Sequence, residues 1–201
     1  MIKTLVFDVG DVLTRFDRLK LCELLFPDDL ALAHRVCRVV FESPLWYEGD
    51  DGSTDVASLA RKMCVGYDED FTKQAVYAIS HYPDVLIRNE PAIAFLKQMK
   101  TKGYGIYLLS NYCELFERSI DKLGLLPYLD GYVYSYKEKT IKPEIRIYQI
   151  LLERYGLDPK ECCFIDDRPI NLEGAKNAGF GYTFRYSYND AELAAFVAAN
   201  S

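Results

Sequence analysis

Phe7-Asp8-Val9-Gly10-Asp11-Val12-Leu13 is the stretch on which the fold turns. The apolar run Leu5-Val6-Phe7 ends on an acid, a turn-permissive Val9-Gly10-Asp11 follows, and apolar residues resume at Val12-Leu13. A short buried strand that hands a carboxylate to its C-terminal end has this pattern. Far along the chain Cys162-Cys163-Phe164-Ile165 ends in the same way, on Asp166-Asp167. Ligands of open α/β sheets bind beyond the carboxyl ends of the strands, so the two acidic ends are expected on one rim. Three carboxylates gathered there are costly unless a cation neutralises them, and Mg²⁺ is the cation this arrangement asks for. Between them, the run Ile106 to Leu109 leads into Ser110-Asn111, and Lys142-Pro143 precedes a helical pattern. The same rim thereby gains a hydroxyl and a fixed positive charge, a set suited to phosphoryl transfer.

Outward from the first strand, about Lys3 to Phe7, the period turns helical. Helices are expected over Leu19 to Phe26, Asp29 to Glu42, Thr54 to Cys64 and Glu69 to His81. In the third, Val56, Leu59, Ala60 and Met63 fall at i, i+3, i+4 and i+7 behind Ser53 or Thr54 as N-cap. This stretch is predicted to be a helical subdomain inserted after the first strand, residues 15-85, with core segments 1-14 and 86-201 on either side. Beyond it strands and helices alternate: helix Pro91 to Thr101, strand Gly105 to Leu109, helix Glu114 to Leu123, strand Gly131 to Tyr134, helix Glu144 to Tyr155. Strand Cys162 to Ile165, helix Ile170 to Ala178, strand Gly181 to Phe184 and helix Asp190 to Ala199 complete the series. Such alternation predicts an α/β, Rossmann-like parallel sheet covered on both faces. Glycines at 103, 124, 156 and 179 each follow a helical pattern and suit left-handed caps.

The bulk properties narrow the function. The chain has 201 residues, 50% hydrophobic, and a net charge of -6 with no basic run, so neither nucleic acid nor an anionic membrane is expected as partner. Met1-Ile2-Lys3 reaches Asp8 before any apolar segment of signal-peptide length, and no stretch approaches the roughly 20 apolar residues of a membrane span, so a cytoplasmic location is expected. Six cysteines lack zinc-site spacing and read as buried thiols; Cys113, close behind Ser110-Asn111, alone invites a redox reading. His34 and His81 have no partner at ligand spacing and are not expected to be catalytic. The 16 tyrosines serve a homodimer as readily as a sugar, so monomer and homodimer both stay open.

Phe7 to Leu13 resembles the first motif of the haloacid dehalogenase-like hydrolase superfamily, in which the first Asp is a nucleophile. Leu108-Leu109-Ser110-Asn111 is similar to its second motif, Lys142-Pro143 to its third and Phe164-Ile165-Asp166-Asp167 to its fourth. Each is short and unspecific alone, but the four occur in family order across essentially the whole chain. The resemblance implies a HAD-like core with a helical cap, Asp8 as nucleophile, Lys142 and Ser110 as catalytic groups, and Ser110, Asn111 and Lys142 on the phosphate. It further implies that Asp8, the Gly10 carbonyl and Asp167 ligate Mg²⁺ directly and that Asp166 does so through a water. Asn171 falls where the family hydrogen-bonds its acidic motif, and helix capping explains it nearly as well.

At one position the chain departs from the family pattern. Most phosphatases of the family carry a second Asp two positions after the nucleophile, as acid and base, and here that position is Gly10. Asp11 is the nearest substitute, with loop capping as its ordinary role. The pattern D-x-G-[ND]-V resembles a subgroup with sugar-phosphate phosphatase activity. In the cap, Trp46-Tyr47-Glu48-Gly49-Asp50-Asp51-Gly52 reads as the specificity loop, with Trp46 either on a sugar ring or packed between helices; Arg15 reads as a contact for an anionic group. The expected function is a Mg²⁺-dependent phosphatase of a small phosphorylated metabolite. A metal-free 2-haloacid dehalogenase, a non-catalytic phosphate- or protein-binding member and, last, a phosphomutase are the alternatives.

Overall fold

The computed structural model describes residues 1–201. Its centre is a parallel sheet of β1 (Thr4–Phe7), β4 (Gly105–Ser110), β5 (Gly131–Tyr134), β6 (Cys162–Asp166) and β7 (Tyr182–Arg185), in the order β5-β4-β1-β6-β7. Side chains alternate across it as a two-residue period demands. Leu5, Phe7, Ile106, Leu108, Cys163 and Ile165 enter one core with Ile93 and Leu96 of α5 (Glu90–Thr101) and with Leu193 and Val197 of α10 (Asp190–Asn200). Val6, Leu109, Val133, Cys162 and Phe164 enter the other with α8 (Ile145–Tyr155) and α9 (Pro169–Asn177). The chain leaves β1 for β4 on one side and returns to β6 on the other, so the order reverses beside β1, where open sheets form their ligand crevice.

Between β1 and α5 the chain is helical: α1 (Arg18–Leu25), α2 (Leu30–Val36), α3 (Val56–Met63) and α4 (Glu69–His81). Each starts on an aspartate whose carboxylate accepts from a backbone N–H of the first turn: Asp17 from Lys20, Asp29 from Leu32, Asp55 from Ser58 and Asp68 from Phe71, at 3.1, 2.9, 2.9 and 2.7 Å. The cap of α3 is thus Asp55 rather than Ser53 or Thr54, while Val56, Leu59, Ala60 and Met63 are buried as their spacing predicts. The single helix expected over Asp29 to Glu42 is instead α2 followed by a wider π-helical turn, Cys37–Phe41, closed by Glu42 N–H on the Cys37 carbonyl at 2.9 Å. That turn buries Phe41 against Phe16, Trp46 and Tyr82.

Two features at the joints carry no local sequence signal. β2 (Thr14–Arg15) and β3 (Ile87–Arg88) pair antiparallel, so the entry to the helical stretch and the exit from it are hydrogen-bonded to each other. Asn89 is buried directly behind this ribbon: its N–H donates to Leu13 O at 3.0 Å, and Nδ2 donates to Val12 O and Tyr186 Oη, both at 2.7 Å. Tyr186 in turn donates to Asp190 at the start of α10. Further on, α6 (Phe116–Lys122) and α7 (Ser135–Glu138) complete the helices, and the glycines at 103, 124, 156 and 179 all have positive φ, as left-handed ends require. No helix is long and apolar enough to cross a membrane. Replacing Asn89 by Ala strands the buried Val12 carbonyl, which should cost about 1–3 kcal/mol in urea unfolding. A loss below about 0.5 kcal/mol, the range of ordinary surface changes, would contradict this role.

Candidate active site

Asp8, Ser110 and Asp166 stand at the carboxyl ends of β1, β4 and β6, the three adjacent central strands. The paired register that sets Phe7 beside Leu108 and Ile165 brings the three residues level. Asp8 Oδ1 accepts from Ser110 Oγ and from Val9 N–H, each at 2.7 Å, and Oδ2 lies 3.0 Å from Lys142 Nζ. Lys142 Nζ also donates to Asp166 Oδ2 at 2.7 Å, and the lysine side chain is fully buried. Its backbone is clamped by Asn111, whose Oδ1 accepts from Lys142 N–H at 2.7 Å and whose Nδ2 donates to Lys142 O at 3.0 Å. The Asn111 amide, expected on phosphate, is here committed to placing the lysine.

Two of these residues are placed without help from a helix end. Ser110 caps no helix, because α6 begins only at Phe116; its hydroxyl is free of that role and is spent on Asp8. Pro143 precedes the N-cap Glu144 of α8 rather than lying in the first turn, so Lys142 is held by Asn111 and not by a helix end.

Electrostatics follow from burial. Burial pushes the Asp8 carboxyl above the usual carboxylate range and Asp166 adds to this, against the opposing pull of Lys142 and Ser110. Burial disfavours the Lys142 ammonium, yet Asp166 and Asp8 outweigh it and hold the lysine above its ordinary value. Asp167 is also raised, by burial, Asp166 and Asp11.

Carboxylate oxygens of Asp8, Asp166 and Asp167 lie within 4.8 Å of one another. One ammonium does not balance three carboxylates. Asp166 is saturated by Lys142, Asn171 Nδ2 and Arg168 N–H, whereas the Asp167 carboxylate and the Gly10 carbonyl accept no hydrogen bond from another residue of the chain. Asn171 Oδ1 is buried beside them without a partner. These are hard oxygen donors on one side of Asp8, and they fit Mg²⁺, which prefers oxygen ligands and retains waters.

The rim opens into a cavity of about 340 Å³ lined by Asp8, Gly10, Ser110, Lys142, Asp167 and Asn171 of the sheet's edge and by Phe16, Trp46 and Tyr82 of the helical stretch. Of the two readings of Trp46, packing is what the structure shows, on Phe16, Phe41 and Tyr82 with ring centroids 5.7, 4.7 and 5.7 Å away; the residue also lines the cavity. Asp11 lines it too, at φ 53, but its Oδ1 accepts from Phe16 N–H at 3.0 Å and Tyr188 Oη at 2.8 Å. Arg15 is exposed, lies over the Tyr188 ring and is not part of the wall; Arg18 and Arg168, unremarked in the sequence, are. Cys113 sits in the wall beside Tyr82, and burial pushes its thiol up to about 12, which removes the thiolate a redox role needs.

Removing the ammonium with Lys142→Met leaves Asp8 and Asp166 buried without compensation. Metal-free Lys142→Met should lose about 3–5 kcal/mol at neutral pH by urea unfolding. The Asp8 carboxyl, already raised, takes up a proton as pH falls, so the deficit should shrink toward acid pH. A deficit that is flat with pH would refute the pairing.

Known proteins resemble the chain in sequence and in fold. The chain is 27% identical over 191 residues to D-ribitol-5-phosphate phosphatase of Bacteroides thetaiotaomicron, covering 90% of each chain. It is 32% identical over 113 residues to (S)-2-haloacid dehalogenase 4A of Burkholderia cepacia, a match of 56% of this chain that spans only about half, 46%, of that enzyme's length. Its fold matches a HAD family enzyme of Bacteroides thetaiotaomicron crystallised with magnesium and inorganic phosphate, with a TM-score of 0.70 at 24% identity over 94% of this chain and 96% of that one. The family model for haloacid dehalogenase-like hydrolases runs through residues 2–179, taking in every strand from which the buried acids project, and the chain belongs to that family.

Proposed function

We propose that this chain is a magnesium-dependent phosphatase of a small phosphorylated metabolite, a sugar phosphate being favoured, acting through an aspartyl-phosphate on Asp8. The observation that carries the reading is the acidic cluster itself: Asp8 bridged to Asp166 by Lys142, with the donors of Asp167 and Gly10 left free beside it. A dehalogenase that works without metal has no use for a further carboxylate at that place. The likeness to a ribitol-phosphate phosphatase over nearly the full length of both chains supports the same substrate class.

Asp8 Oδ1 is held by Ser110 and Val9 N–H, which fixes the direction in which the carboxylate faces the cavity. Attack on a phosphoryl group brings two anions together, and Lys142 Nζ, 3.0 Å from Asp8, supplies fixed positive charge against that repulsion. Ser110 Oγ is near enough to both Asp8 and the cavity to donate to a phosphoryl oxygen once one is present. Asp166 touches the lysine rather than the cavity and so acts by orienting it. Mg²⁺ held by Asp8, the Gly10 carbonyl and Asp167 would supply charge neutralisation for the phosphoryl oxygens, while Asp166, expected to reach it through a water, is taken up by Lys142, Asn171 and Arg168.

Asp8→Asn keeps the volume and should abolish turnover of p-nitrophenyl phosphate while the circular dichroism and melting temperature stay native; retained turnover would refute the nucleophile. Chelation should likewise stop hydrolysis, and added Mg²⁺ should restore it. The similarity to a haloacid dehalogenase supports a second reading, and 2-haloacid turnover that persists with chelator present would favour it over the first. Binding of Mg²⁺ and phosphate without turnover of any phosphomonoester would point instead to a non-catalytic member.

A further inference from the structure

If the chain is a phosphatase, Gly10 leaves it without an acid two positions after the nucleophile. Five acids line the cavity: Asp8, Asp11, Asp50, Glu114 and Asp167. Asp8 is the nucleophile of the reading above, and Asp167 belongs to the cation cluster. Asp11 is engaged by Phe16 N–H and Tyr188. Glu114 is engaged through Oε1 by Val56 N–H at 3.2 Å and through Oε2 by Tyr136 at 3.3 Å. Asp50 alone lies outside the cation cluster with a carboxyl that no group of the chain hydrogen-bonds or pairs with a charge.

Its position is built. Asp50 follows the 3₁₀ turn Pro44–Gly49 and is held over the rim by its backbone: Ser135 Oγ donates to Asp50 O, and the same Ser135 oxygen accepts from Tyr112 N–H at 2.9 Å. Lys139 Nζ adds a hydrogen bond to Gly52 O at 2.6 Å. Gly49 allows the close approach, since a Cβ there would lie 3.1 Å from Leu59 and 3.8 Å from Cys113. The segment between the first and second halves of the helical stretch is thereby fastened to the sheet's carboxyl rim, and Asp50 lines the same cavity as Asp8.

We propose that Asp50 carries the proton in both halves of the turnover, in place of the acid missing at position 10; the proposal rests on the phosphatase reading. As Asp8 attacks phosphorus and the bond to the leaving oxygen breaks, Asp50 in its neutral form gives that oxygen a proton, releasing an alcohol and leaving a carboxylate. In the second half the Asp50 carboxylate takes a proton from water as its oxygen bonds to phosphorus, the Asp8–phosphorus bond breaks, and inorganic phosphate leaves with Asp8 restored. Burial and, next, Asp8 push the Asp50 carboxyl up to about 7; Lys142 and Arg168 oppose this and Asp51 adds to it. Tyr112 and Cys113 face it from the loop after β4. A carboxyl poised there exists in both required forms at neutral pH.

The test compares wild type and Asp50→Asn, with Mg²⁺, on aryl phosphates from p-nitrophenyl phosphate to phenyl phosphate. Asp50→Asn should lose about 10²–10⁴-fold in kcat/KM on phenyl phosphate, whose leaving oxygen needs the proton, and far less on p-nitrophenyl phosphate, so that rate depends more steeply on leaving-group acidity. Gly10→Asp, whose new Cβ meets nothing within 4 Å, should restore the shallow slope in the Asp50→Asn background. An equal loss across the series, or none, overturns the proposal and leaves the phosphatase reading standing; a wild type inert toward every ester overturns both. Asp50→Glu, which keeps a carboxyl, should hold the wild-type slope, and a slope as steep as that of Asp50→Asn counts against the proposal even if the latter is not recovered folded.

Discussion

A buried ammonium between two buried carboxylates is the constraint on which the rest depends. Lys142 lies 3.0 Å from Asp8 and 2.7 Å from Asp166, and none of its side chain reaches solvent. Desolvating such a group is expensive, and the cost is met only if the partners are placed within hydrogen-bond reach. The parallel register of β1 with β6 provides two of the three positions and the Asn111 clamp provides the third. Sheet order, the loop after β4 and the turn before α8 are thus parts of one electrostatic arrangement, and Asp167 is the acid of the cluster that the lysine does not match.

The helical stretch is integrated with this arrangement rather than appended to it. Its two joints pair with each other as β2 and β3, and Asn89 ties them to Tyr186 and the start of α10. Its middle is fastened again at Ser135 and Lys139. The cavity wall is therefore defined from two sides, with the acidic groups rising from the strands and the rings contributed by Phe16, Trp46 and Tyr82, which Phe41 backs from behind.

What was legible in the sequence is what is local. A run such as Leu5-Val6-Phe7 ending on Asp8 announces a strand and the group at its end, because burial and periodicity act over a few residues. The helical period of Val56, Leu59, Ala60 and Met63 is equally direct. Asn89 looked like any polar joint residue, since its partners Val12 and Tyr186 are remote in sequence. The family resemblance puts Asn111 on the phosphate, and only the fold reveals that Lys142 occupies its amide. The π-helical turn differs from expectation by a residue of hydrogen-bond registry where Phe41 packs on Phe16, Trp46 and Tyr82, and the α3 cap lies one or two residues on, at an aspartate whose carboxylate meets Ser58 N–H.

The aromatic wall has a wider consequence. Phe16, Phe41, Trp46 and Tyr82 form one interlocked layer, and it belongs to the continuous apolar core that runs from the helices into the sheet. The side chains that shape the cavity wall and the material that keeps the protein folded are here largely the same. Reshaping that wall would have to pass through variants that loosen the interior, so the cavity can change its form only as fast as compensating mutations elsewhere restore rigidity.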